Sequence, residues 1–130
     1  MKSISLEPEL NELYTLNEFV LSELGEENIQ VNFIVEEIFV NIVNYSKTKF
    51  IKVNIEFDNA LLTIEFIDNG VEFNPLLKEK PELPENIEDA QIGGLGIFLT
   101  KEFADEITYN HVNGENHLKI MKNVEWWMIK

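Results

Sequence analysis

The chain has 130 residues, 45% of them hydrophobic, no cysteine, and 24 acidic against ten basic side chains, for a net charge of −14. That length suits a single domain over 1–130 with a real apolar core, and the lack of thiols excludes disulfides and thiolate metal sites. The net charge of −14 argues against nucleic acid as the main partner, because phosphate contacts need Lys or Arg, and all ten basic residues are lysines. A basic protein partner suits such a surface better. The amino terminus, MKSISLEPEL, has no apolar leader core, and no apolar run approaches the roughly 20 residues of a membrane span. The expectation is a soluble cytoplasmic protein that does not engage a membrane.

Residues 2–6 (KSISL) alternate and predict a short edge strand. In PELNELYTLNEFVLSELG, Pro8 suits a first helical turn. Leu13, Leu16, Phe19, Val20 and Leu24 then form a helical stripe that Gly25 is placed to stop. A second helix is predicted over about 27–45, with Val31, Ile34, Val35, Ile38, Ile42 and Tyr45 recurring at three- and four-residue steps. FIKVNIEF (50–57) and LLTIEFI (61–67) alternate with period two around Asp58-Asn59-Ala60 and predict a hairpin. From Asp68 to Ile92 the chain turns polar, a long loop of the kind that is usually functional or disordered. Glycines follow in IGGLG (92–96), then the apolar IFLTKEFA, read as a third helix. DEITYNH and ENHLKIMK, joined through Val112-Asn113-Gly114, read as a closing hairpin. Together these elements predict an α/β (α+β) two-layer sandwich, with helices on one face of a mixed, mainly antiparallel sheet.

Three polar islands interrupt this pattern. Within VEEIFVNIVN, Glu37 and Asn41 are four apart and share a helix face, with Asn44 three further on the same side. A carboxylate beside an amide oxygen suits polarising a hydroxyl or offering oxygen to Mg²⁺; the same pattern also fits a polar helix–helix contact or a solvated strip. In FIDNGVEFNP, Asp68 ends an apolar strand and Gly70 follows. That carboxylate can accept a hydrogen bond from an exocyclic amine while the glycine admits a flat ring, although Asp-Asn-Gly is also an ordinary turn. In QIGGLGIFL, glycines before a helix can present backbone N–H groups to phosphate without any basic residue. The motif is neither a P-loop nor a dinucleotide fingerprint.

Taken in order, these islands resemble the Bergerat-fold (GHKL) ATPase superfamily, which includes histidine-kinase catalytic domains and gyrase-type ATPases. Within it the chain is most similar to the small stand-alone serine/threonine kinases that act as anti-sigma factors or switch-protein kinases. EEIFVNIVNYS is similar to the N box, DNGVEFNP to the adenine-binding box, and IGGLGIFLTKEFADEITY to the glycine box and its helix. The resemblance covers about residues 8–122. It implies ATP and Mg²⁺ as cofactors, Glu37 as the general base and Asn41 as the metal ligand, with Asn44 on the same lining. It also implies Asp68 on the adenine amino group, Gly70 beside the ring, Gly93, Gly94, Leu95 and Gly96 at the phosphates, and a lid over about 76–92. The implied partners are a small antagonist protein as phospho-acceptor and a sigma factor or similar regulator. The alternative is a nucleotide-binding regulatory module that controls a partner without transferring phosphate.

Three positions depart from the family pattern. Gln91 and Ile92 stand where related kinases often carry an arginine. Glu115-Asn116-His117 stands where a threonine is common, and Tyr45 where a histidine is common. Lys47, Lys78 and Lys80 are candidates to replace the arginine electrostatically, although each reads more readily as a solvated surface lysine. His111 and His117 are read as strand residues. The segment EWWMIK, with Trp126 and Trp127, admits either core packing or a partner or homodimer surface.

Overall fold

The computed structural model describes residues 1–77 and 92–124, with residues 92–95 given as backbone alone. Strand β1 (Lys2–Leu6) leads through a 3-10 turn at Leu10–Glu12 into α1 (Leu13–Leu24) and α2 (Ile29–Tyr45). The hairpin β2 (Ile51–Asp58) and β3 (Leu61–Asp68) follows, then a 3-10 turn at Pro75–Leu77, α3 (Ile92–Phe103), and the hairpin β4 (Glu106–Val112) and β5 (Glu115–Asn123). The five strands form one sheet in the order β1-β2-β3-β5-β4.

Every neighbouring pair is antiparallel, so the mixed sheet expected from the sequence is purely antiparallel among the described residues. The reason is topological. The crossover through α3 delivers β4 to the outer edge, and the hairpin then lays β5, running the opposite way, beside β3. Both hairpins close with two residues at positive φ, Asn59 and Ala60 in the first and Asn113 and Gly114 in the second. This is the backbone twist that two-residue hairpin turns require.

The two periodicities meet in one core. Leu16, Val20 and Leu24 of α1, Val31, Ile34, Val35, Ile38, Phe39 and Ile42 of α2, and Ile97 of α3 are buried against the inward side chains of β2, β3 and β5. Across the sheet these inward residues form rows: Ile55, Ile64 and Ile120, then Val53, Phe66 and Leu118. A fully buried side chain such as Phe39 or Phe66 is worth about 2–3 kcal/mol of transfer free energy, and these rows hold the helices in place. The next row continues as Ile51, Asp68 and Asn116, where strand alternation turns two polar side chains toward the helices.

Helix ends differ slightly from the expected ones. Pro8 lies ahead of the 3-10 turn and outside any helical turn, because the chain is still extended at Glu9 (φ −129°, ψ 139°). The second helix starts at Ile29, where Asn28 caps it by accepting the Val31 N–H at 3.0 Å. Gly25 ends α1 in the left-handed conformation (φ 84°), the stop read from the sequence. Tyr45 leaves the buried stripe and is 48% exposed. No helix among the described residues is long and apolar enough to cross a membrane.

Candidate functional site

Strand β3 stays apolar until its last inward position, which is Asp68, only 3% exposed. A buried carboxylate must be hydrogen-bonded to be tolerated, and three donors converge on Oδ1. They are the Ser46 hydroxyl at the end of α2, the Gly70 N–H at 2.9 Å and the Asn116 amide at 3.0 Å. Among the described residues the Oδ2 oxygen receives no hydrogen bond, so the acceptor capacity left on Asp68 lies on one oxygen. A fixed acid with a spare acceptor can take an N–H from a ligand.

The loop after Asp68 is pinned to the turn after α2. Val71 N–H donates to the Ser46 carbonyl at 2.7 Å. Asn69 N–H donates to the Thr48 hydroxyl at 3.0 Å, and Lys49 N–H to the Asn69 side-chain oxygen at 3.0 Å. A Cβ on Gly70 would overlap the Ser46 hydroxyl and carbonyl. The side of Gly70 that lacks a Cβ therefore faces α2, and the first reason for glycine here is closure of the chain on itself.

From the sequence Asn116 stands out only as a departure from a family threonine. It is 96% buried and directly opposite Asp68 in the sheet. Its amide nitrogen donates to Asp68 and to the Val71 carbonyl (2.8 Å), while its oxygen accepts from the Phe73 N–H and the Tyr109 hydroxyl. His111 Nδ1 lies 3.2 Å from the same oxygen. Burial raises the Tyr109 phenol above its usual pKa, reinforced by the Glu72 and Asp68 charges and opposed by the Phe73 N–H. The hydroxyl thus stays protonated and donates to Asn116. The signal for Asn116 was present in the sequence: Ile120, Leu118 and Asn116 alternate, so a polar residue occupies an inward position next to a turn. Ser46 carried no comparable signal.

The second cluster lies toward the middle of α2. Asn41 donates to the Glu37 backbone carbonyl at 2.7 Å and to its carboxylate at 3.2 Å, the contact that i,i+4 spacing allows. From the opposite side, α3 brings Gly96 against the Glu37 carboxylate, whose atoms fill the space a Cβ would take. The glycines expected ahead of this helix lie inside it, since α3 begins at Ile92. Glycine in a helix costs about 1 kcal/mol relative to alanine, and at Gly96 the contact with Glu37 supplies the reason. Gly93, Gly94 and Leu95 belong to the first turn, whose N–H groups have no intrahelical acceptor and can face an anion.

From Glu37 to Ser46 the helix rises about 14 Å at 1.5 Å per residue. One helix therefore carries both clusters, the Asp68 pocket at its end and the Glu37 pair near its middle, the latter facing α3. Asn44 is exposed and makes no hydrogen bond to either cluster among the described residues. Tyr45 stacks at an inclination on Phe73, centroids 5.5 Å apart. Lys47 is exposed at positive φ. Lys101 donates to the Leu76 carbonyl at 2.7 Å and ties α3 to the 3-10 turn. His111 and His117 are strand residues, as expected, with His117 between Glu65 (3.7 Å) and Glu115 (3.5 Å). Most of the expected lid, with Lys78, Lys80 and Gln91, lies outside the described residues, as do Trp126 and Trp127.

A family model for the histidine kinase-like ATPase domain matches residues 12–122, a span that contains both clusters. The chain belongs to this family. The ATPase domain is also similar to the serine/threonine-protein kinase BtrW of Bordetella bronchiseptica, at 28% identity over 89 residues. The match covers 65% of this chain and 63% of that kinase, so it spans just under two thirds of the relative's length. In this domain the first and third of the islands read from the sequence meet, and the second packs elsewhere on the same helix. Asp68 and Gly70 close on the end of α2, while Gly96 closes on its middle.

Proposed function

We propose that this ATPase domain is an ATP-dependent serine/threonine protein kinase of the anti-sigma type, working in the cytoplasm on a small antagonist protein and holding a sigma factor or similar regulator. One observation carries the reading: a single helix links a buried carboxylate pocket to a Glu–Asn pair about 14 Å away, and Gly96 of α3 is packed against Glu37 of that pair. This layout suits an extended ligand with a base at one end and phosphates at the other.

The residues fit the cofactors that the family implies. Asp68 has a spare acceptor oxygen for an amine, and the pocket is braced by Asn116 and Ser46. Phosphates would meet the first turn of α3, which needs no arginine or lysine to hold an anion in a chain of net charge −14. Among the described residues no group of three His, Cys, Asp or Glu side chains is placed to hold a metal. Mg²⁺ commonly takes few protein ligands and completes its shell with phosphate and water, so a single amide oxygen at Asn41 is sufficient. When bound, Mg²⁺-ATP supplies the transferable phosphoryl group. The protein's own contribution is positioning and charge. Glu37 would receive the hydroxyl proton of the acceptor serine or threonine on its carboxylate, held in place by Asn41 on one side and Gly96 on the other. Asp68 and Asn116 would orient the far end of the ligand.

A second reading has its own support. Gln91 and Ile92 replace the arginine common in related kinases, which favours a nucleotide-dependent binding module without transfer. Both readings require nucleotide binding. Mg²⁺-ATP at 100 times its dissociation constant is expected to stabilise the fold by about 2.7 kcal/mol. A thermal scan with no shift at millimolar ATP or ADP would remove both. Incubation with labelled ATP and candidate antagonist proteins then separates them, since only the kinase labels the antagonist.

A further inference from the structure

A groove of about 400 Å³ runs between α1 and α2, on the side of the helix pair occupied by Glu36. Its apolar surface comes from Leu13, Tyr14 and Leu21, and Glu18, Glu27 and Glu36 stand around it. Tyr14 is 80% exposed and Leu21 39% exposed, so large apolar side chains face water here. The walls are joined, because the Asn17 amide donates to Glu36 at 3.0 Å across the two helices. Along α2, Glu36 and Glu37 are consecutive and point about 100° apart, which separates this groove from the Glu37 pair.

The charge around it is one-sided. Residues 3–46 hold nine glutamates and no lysine, arginine, histidine or aspartate, a net −9 of the chain's −14 in about a third of its length. At physiological salt, fields reach about 8 Å, enough to cover the groove from its rim. A second copy of this chain would bring the same carboxylates into opposition. A partner with cationic flanks gains attraction at the rim while its apolar side chains cover Tyr14 and Leu21.

We infer that the α1–α2 groove is a docking surface for an amphipathic helix of a partner protein, one whose apolar stripe is flanked by Lys or Arg. Helix-in-groove recognition uses anchors at i, i+3, i+4 and i+7. An exposed tyrosine beside apolar neighbours is the kind of anchor that dominates such interfaces. The inference makes no use of nucleotide binding and goes beyond the kinase reading.

The test uses the full chain and a fluorescein-labelled peptide of about 18 residues, five helical turns, with Leu at helical spacing and Lys elsewhere. A counterpart carries Glu in place of Lys. Anisotropy at 150 mM salt and without nucleotide is expected to show binding of the Lys peptide only. The double variant Tyr14→Ala/Leu21→Ala and the charge reversal Glu18→Lys/Glu27→Lys should each weaken it at least about tenfold. Reversal of Glu56→Lys/Glu106→Lys, on the sheet face away from the helices, should change it less than about twofold. Circular dichroism checks that each variant is folded. Equal losses for the two charge reversals would mean diffuse attraction and overturn the docking surface, as would full binding by the Tyr14/Leu21 variant. Light scattering that shows a dimer dispersed by Tyr14→Ala would assign the groove to a second copy instead.

Discussion

The two ends of the site are built to different standards. At the Asp68 end, five side chains from β3, β4, β5 and the cap of α2 share hydrogen bonds around two buried polar groups, Asp68 and Asn116. At the Glu37 end, among the described residues, the Asn41 amide and the close approach of Gly96 meet a partly exposed carboxylate. The first arrangement resembles a preformed recognition pocket, in which unsatisfied groups would be costly and geometry is over-determined. The second leaves a carboxylate able to meet a second substrate. The proposed function assigns recognition to the first and chemistry to the second, and substitutions should separate them.

The largest effect is expected from Glu37→Gln, which keeps the volume packed against Gly96 but removes the base of the proposed reaction. Transfer to the antagonist should fall by about 10²–10⁴-fold with nucleotide affinity nearly unchanged. Equal phosphorylation by the variant would remove Glu37 from the chemistry. Gly96→Ala tests the same end from the other helix: its new Cβ must push the Glu37 carboxylate aside. Transfer rate should drop by about 10–100-fold, a loss in keeping with the cost of a displaced catalytic group, while thermal stability changes little because the obstructing atoms belong to a movable side chain.

At the opposite end the effects should appear in folding and binding together. For Gly70→Val the overlap is with the Ser46 backbone as well as its hydroxyl, and a cost of about 3 kcal/mol is expected in denaturant unfolding. A wild-type midpoint would refute the close approach. Asp68→Asn retains shape but puts an amide where three donors converge, so a loss of about 1–3 kcal/mol in stability is expected, with ATP affinity reduced in isothermal titration. If Asp68→Asn abolished transfer while leaving affinity intact, the division between the two ends would be wrong.

Much of this was legible in the chain. The apolar steps of Leu16, Val20 and Leu24, and of Val31, Ile34, Val35, Ile38 and Ile42, marked both helices because buried faces must repeat with the helical period. Asn113-Gly114 and the alternating runs around Asn59-Ala60 marked both hairpins, since few residues adopt positive φ cheaply. Glu37, Asn41, Asp68 and the glycines stood out as polar or flexible residues among apolar ones. The start of α3 at Ile92 is not legible in the sequence because glycine lowers helix propensity locally, whereas the packing of Gly96 on Glu37 is a contact across 59 positions that no local preference reports.

What the sequence determined by itself was therefore which segments repeat with which period, and which residues break that repeat. The tertiary structure decided the partners. Strand register set Asn116 opposite Asp68, 48 residues away, and the end of α2 brought the Ser46 hydroxyl onto Asp68. Strand order made the sheet wholly antiparallel among the described residues. Helix packing turned a glycine motif into the wall that holds Glu37. Periodicity is a property of neighbours along the chain, and so it can be read in one dimension. Register, strand order and close approach depend on which distant surfaces bury each other, which only the folded chain settles.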